Sequence, residues 1–226
     1  ASSSAGVTVT LNGSAAATVS GGDAEGDTAT GFENITGSAF DDTLTGDSGA
    51  NVLDGGAGRD MLYGGDGDDV LHGGAGDDII HGVSGTNILQ GGAGLDFLVG
   101  GSGTDHFHAF DRNGSGNGDH GARMEGHGGD DVFHMVGGIA GESAFGGDGN
   151  DTFHTTEGLT LNDAYDGGAG IDTAYFYGGV GMVFTTGAQG TIRHVEFDFD
   201  GTLYFRDIEV VHAGSGDDVF VGSSQV

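Results

Sequence analysis

The chain has 226 residues, of which 52 are Gly and none is Pro, Trp or Cys; 35 acidic residues stand against 5 basic ones, none of them Lys, for a formal net charge of −30. Without cysteine there are neither disulfides nor thiolate metal sites, and so anionic a surface excludes nucleic acid and anionic lipid as partners. Average glycine usage is about 7 %, so the excess without proline points to many turns needing backbone freedom, and self-repulsion on this scale means that a folded chain requires cations to neutralise its carboxylates.

Residues 1–36 read as a strand-rich cap or the end of a preceding module, with alternation in Gly6-Val7-Thr8-Val9. Residues 1–6 lack the charged and apolar regions of a signal peptide, and no apolar run approaches membrane-spanning length, so membrane insertion is not expected. From Gly37 the chain repeats every nine residues, in eight unbroken units to His108. The first position is always Gly, from Gly37 and Gly46 to Gly91 and Gly100. The eighth is Leu44, Leu53, Leu62, Leu71, Ile80, Leu89, Leu98 and Phe107, and the sixth is Asp42, Asn51, Asp60, Asp69, Asp78, Asn87, Asp96 and Asp105.

Residues 109–125 interrupt this period as an insertion loop. Looser units resume over 126–175, with Asp131, Asp151 and Asp172 at the sixth place and degenerate copies carrying Glu142 and Asp163 between them. Residues 176–207 form a strand-rich insertion, and 208–226 start a further repeat or cap, with Asp218 at the sixth place. The stretch 208–222 parallels 32–46 at constant offset. Two explanations stand: the chain is one period of a longer repetitive protein, or both ends are caps protecting an open roll.

The units Gly64-Gly65-Asp66-Gly67-Asp68-Asp69-Val70-Leu71-His72 and Gly73-Gly74-Ala75-Gly76-Asp77-Asp78-Ile79-Ile80-His81 resemble the hemolysin-type, or RTX, calcium-binding nonapeptide. The resemblance implies an all-β fold, a right-handed parallel β-roll with strand-rich end segments. Each unit is expected to be a six-residue turn and a three-residue strand whose middle residue alone points inward. Two units make one 18-residue coil, so sixth positions stack at i and i+18. One edge then carries Asp42, Asp60, Asp78 and Asp96, the other Asn51, Asp69, Asn87 and Asp105, and the all-carboxylate edge is expected to hold Ca2+ more tightly.

The resemblance places side-chain ligands at these eight residues and at Asp131, Asp151, Asp163, Asp172 and Asp218. It places carbonyl ligands mainly at second and fourth positions: Gly56, Gly58, Gly65, Gly67, Gly74, Gly76, Gly92, Gly94, Gly101, Gly103, Gly147, Gly149, Gly168 and Gly170. Val83 at a second position and Phe40 at a fourth depart from the pattern. About eight Ca2+ would bring the net charge from −30 to about −14.

Other motifs are weaker. Asp111, Asn113, Ser115 and Asp119 have the spacing of an EF-hand-like calcium loop, but Ala122 replaces its bidentate Glu, so an extra calcium loop competes with a solvated insertion. Residues 195–203 look like the nucleophile motif of haloacid-dehalogenase-type phosphatases. Only 23 residues follow, however, and Asp200-Gly201 between alternating apolar residues reads better as a hairpin turn. His72, His81, His108, His134 and His154 occupy ninth positions. A transition-metal or pH-sensing stripe is one reading, but alternation between edges scatters them, and exposed strand positions are the expectation. No His-Glu-x-x-His helix, nucleophile elbow or helical periodicity occurs, so the segment is read as non-enzymatic.

The expected function is an extracellular calcium-binding repeat that folds when it meets calcium, as a structural or spacer element of a secreted surface protein, filament or adhesin. The alternative is the calcium-dependent folding and type I secretion module of an exported hydrolase, a protease, lipase or epimerase. What the resemblance implies for place is export from a Gram-negative bacterium. End-to-end self-association, and glycan binding through the aromatics of residues 175–205, are further partner readings.

Overall fold

A computed structural model describes residues 5–22, 27, 29–109, 122–135, 143–155 and 164–176, and the strand backbones 182–186, 192–197, 202–206, 210–212 and 219–221. Among the described residues there is no helix, and the strands form two sheets of a parallel β-solenoid of about six coils. None of its elements is a helix long and apolar enough to cross a membrane.

Successive strands alternate between sheets. One sheet stacks Thr43–Thr45, Met61–Gly65, Ile79–Ser84, Phe97–Ser102, Arg123–Gly128, Ser143–Asp148 and Ala164–Ala169. The other stacks Asn34–Thr36, Val52–Ala57, Val70–Ala75, Ile88–Ala93, His106–Ala109, Val132–Met135, Thr152–Thr155, Thr173–Phe176 and Val210–His212. Within 34–109 each residue pairs with the one 18 positions on, as Leu44 with Leu62 and Leu71 with Leu89.

The strands are longer than the three residues expected. Val70–Ala75 continues through the two glycines of the next unit, whose backbone pairs Gly74 with Gly92 and Ala75 with Ala93. The fourth-position N–H extends the ladder further, Gly58 donating to the Ala75 carbonyl at 2.8 Å and Gly76 to that of Ala93 at 2.6 Å. The turn proper is therefore positions four to six. The extension is silent in the sequence because glycine, having no side chain, carries no inward or outward signal.

Every eighth-position residue from Leu44 to Phe107 is buried, at most 1 % exposed, and lines a one-residue-wide core. That core continues past the regular repeat through Met124, Phe133, Ala144, Phe153, Tyr165 and Ala174. In-register stacking places aromatic rings one strand spacing apart: Phe107 to Phe133 at 4.6 Å and Phe133 to Phe153 at 4.8 Å, nearly parallel.

Beyond residue 109 the sheets keep their register while the coils lengthen. Leu98 pairs with Met124, Met124 with Ala144 and Ala144 with Tyr165. The extra residues fall between the paired strands in sequence, outside the described residues, and the stack itself does not slip. This overturns the expectation that the ninth-position histidines are scattered: His108, His134 and His154 are consecutive rungs on one face.

Both ends use one arrangement. Thr8–Thr10 pairs antiparallel with Ala16–Ser20 and parallel with Thr43–Thr45, and Met182–Thr186 pairs antiparallel with Ile192–Phe197 and parallel with Val219–Val221. Antiparallel pairing of Ile192–Phe197 with Thr202–Arg206 agrees with a hairpin at Asp200-Gly201, although the turn residues lie outside the described ones.

Candidate metal centre

The sixth-position side chains form two columns along the edges of the solenoid. All eleven that are described, from Asp42 to Asp172, are at most 3 % exposed. Each column is knit by one repeated bond: a sixth-position N–H donates to Oδ1 of the sixth-position side chain one coil on. The bond runs from Asp60 to Asp78 at 2.8 Å, Asp78 to Asp96 at 2.9 Å, Asp105 to Asp131 at 2.8 Å, Asp131 to Asp151 at 2.9 Å and Asp151 to Asp172 at 2.9 Å. One carboxylate oxygen thus has a structural task.

The other oxygen has none. Oδ2 of Asp60, Asp69, Asp78, Asp105, Asp131 and Asp151 is buried without a hydrogen-bond donor. It lies against the first glycine of its own unit: a Cβ on Gly55 would collide with Asp60 Oδ2 and with the Gly73 carbonyl oxygen of the next coil. First-position glycine is therefore required by close approach, and two acceptor oxygens converge there with no proton between them. An isolated buried acceptor is costly, and a buried carboxylate more so.

Burial accordingly pushes these carboxyls upward, with neighbouring aspartates adding to the effect at most of them. Asp60 and Asp105 rise to about 6, Asp78 and Asp151 to about 7 and Asp131 to about 8. At neutral pH such a column needs either protons or cations. Hard oxygen donors without nitrogen or sulfur suit Ca2+, which takes six to eight oxygens at about 2.3–2.6 Å.

All fourteen glycines expected to offer carbonyls have φ between 94° and 146°. At Gly74 a Cβ would also run into the Gly56 carbonyl oxygen, so these carbonyls point from each turn into the one stacked on it. The residues present fit a stacked calcium site. The first-position carbonyls of Gly73, Gly91, Gly146 and Gly167 converge with the unpartnered carboxylate oxygens on the glycine of the coil before, and sequence reasoning missed them. Only the fold reveals that an axial carbonyl faces the neighbouring coil.

The two departures behave differently. Val83 keeps the glycine conformation, at φ 88°, and its carbonyl still faces Gly101; His127, also at a second position, does the same at φ 73°. Phe40 does not adopt positive φ. Around it Ser38 Oγ accepts the Phe40 N–H at 3.2 Å and donates to Asp42 Oδ1 at 3.0 Å, while the Val7 N–H reaches the same oxygen at 2.6 Å and the Ser38 N–H reaches Oδ2 at 2.5 Å. Asp42 is thus satisfied by protein donors, unlike the aspartates below it.

The edges also differ otherwise than expected. On the first, the residue stacked below Asp96 is Ala122, since the Arg123 N–H donates to the Asp96 carbonyl, and the carboxylate column is interrupted there. On the second, the column is continuous from Asn51 to Asp172, and its last four members are all aspartate. Asn87 accepts the ladder bond from the Asp69 N–H without bringing charge, whereas Asn51 Oδ1 accepts the Asp47 N–H of its own unit. Asp163, Asp218 and the loop residues Asp111, Asn113, Ser115 and Asp119 lie outside the described residues.

A family model described as the RTX calcium-binding nonapeptide repeat matches in four copies, over residues 27–62, 57–89, 81–109 and 207–225. The chain carries RTX calcium-binding repeats. No curated protein matches it. The matched stretches stop at 109 and resume at 207, whereas the RTX column runs on through Asp131, Asp151 and Asp172 with unchanged hydrogen bonding. The structure therefore extends the repeat architecture into sequence where the nine-residue period is broken.

Proposed function

We propose that this RTX roll is an extracellular structural or spacer element that folds when calcium fills its carboxylate columns. The observation that carries the reading is the row of buried Oδ2 atoms without donors on an otherwise hydrogen-bonded stack. One apolar side chain per nine residues does not offset the entropy of ordering the chain. Cation binding supplies the difference through linkage, because ions that bind only the folded roll stabilise it.

In this reading Asp105, Asp131, Asp151 and Asp172 bound the tightest sites, being consecutive carboxylates on one edge. Asp60, Asp78 and Asp96 bound a second group, and Asn51 and Asn87 leave weaker sites beside them. In the calcium-poor cytosol the chain stays unfolded and fit for threading through a secretion channel; outside it folds. The same physics would serve a secretion module of an exported hydrolase, but the all-β roll with one arrangement at both ends favours the spacer.

A calcium titration followed by far-ultraviolet circular dichroism and light scattering tests this. The expected result is a cooperative gain of β signal with calcium, reversed by a chelator, with any end-to-end assembly appearing in scattering at the same midpoint. A β spectrum already complete in chelator would remove the calcium-folding reading.

A further inference from the structure

A second set of metal-ligating side chains stands on the outer face of the sheet that contains His106–Ala109. His106 and His108 flank buried Phe107 on one strand, so both imidazoles leave the same face. Parallel pairing sets His134 beside His108 and His154 beside His134. The rings stack at 4.9 Å between His108 and His134 and at 5.0 Å between His134 and His154, with planes 6° and 8° apart. All four are half-buried and open to solvent on one side. His106, one strand over from His134, is also close enough to act on its charge.

We propose that His106, His108 and His134 form a binding site for a transition-metal dication of the Zn2+ class, on the sheet face and separate from the calcium columns on the edges. Imidazole is the commonest ligand for such ions, whereas Ca2+ selects hard oxygen, so the two ions sort by ligand chemistry. Two histidines spaced by one residue on a strand, with a third on the adjoining strand, supply three nitrogens from rigid backbone. Among the described residues no such group already converges on one point. The His108 and His134 rings, 4.9 Å apart, are within reach of one ion at metal–nitrogen distances of about 2.0–2.1 Å through side-chain rotation.

The site rests on the calcium reading only in that calcium folds the roll, and the test is arranged to separate the two. Zn2+ is titrated by calorimetry into the full chain held in saturating calcium. The titration is repeated on the double variant His108→Asn/His134→Asn, and on His81→Asn, which lies on the other sheet. The expected result is one zinc-binding event per chain that survives excess calcium. It should weaken at least about tenfold in the double variant, the smaller of the losses seen even when only a residue supporting a metal ligand is changed, and stay unchanged in His81→Asn. Zinc affinity equal in wild type and double variant, or zinc binding abolished by raising calcium, overturns the site. Circular dichroism of the same samples divides the failures: a chain unfolded in calcium counts against both readings, and a folded chain without a histidine-dependent zinc event counts against this one alone.

Discussion

Below Asp42 the described sixth-position aspartates divide their carboxylates. Oδ1 accepts the N–H of the coil before it, and Oδ2 of Asp60, Asp69, Asp78, Asp105, Asp131 and Asp151 has no donor, the place that the proposed function gives to a cation. The division can be separated by mutation at Asp151, whose Oδ1 holds the Asp131 N–H at 2.9 Å. Asp151→Asn keeps the acceptor, as Asn87 does, so it should lower calcium affinity and lower the calcium-saturated thermal midpoint only by the amount linked to that weaker affinity. Asp151→Ala also orphans a buried N–H and should cost a further ~1–3 kcal/mol even in saturating calcium. Calorimetry and thermal melts of the pair check this; equal behaviour of the two variants would deny the split. Val83 makes the complementary case. A β-branched residue held at φ 88° is strained, so Val83→Gly should raise stability in calcium by about 1 kcal/mol, read as a shift in denaturation midpoint.

At the level of strands, in-register stacking turns a one-residue core into a continuous column. Phe133 sits between Phe107 and Phe153, so Phe133→Ala should leave a gap with two unstacked rings and cost about 3–5 kcal/mol, measured by denaturation in calcium. The nine-residue period made this column and both aspartate edges readable directly, because position eight and position six each do one job in every unit. Three features were not readable. Glycine carries no polarity signal, so the extension of the strand through Gly73 and Gly74, and of other strands through the same positions of their units, was hidden. Extra residues in the sequence between strands after 109 break the period without breaking the register, which concealed both Ala122 beneath Asp96 and the alignment of His108, His134 and His154. Finally, the role of first-position carbonyls depends on what lies one coil away.

For the molecule as a whole, a net charge of −30 is tolerable only if the buried columns are neutralised. Without calcium, protons are the substitute. The raised aspartates contribute stability that is complete below their unfolded value of 3.8 and is lost as pH rises through about 6 to 8. His81, His108, His134 and His154 are lowered and act oppositely, contributing above 6.5 and losing it as pH falls. From pH 8 to about 7 the change falls mostly on the aspartates, because unfolded histidines are still largely neutral there, so a calcium-free chain should gain β signal on acidification across that interval, and calcium affinity should fall as protons compete. Loss of structure over the same interval would contradict the assignment of the buried carboxyls.

The most direct measurement is an anomalous difference map from crystals grown in calcium. Strong peaks should lie along both edges, between Asp60 and Asp78 and between successive members of the run Asp105, Asp131, Asp151 and Asp172, and none beside Ala122. A folded roll whose stacked turns hold no ion between those carboxylates would contradict the account.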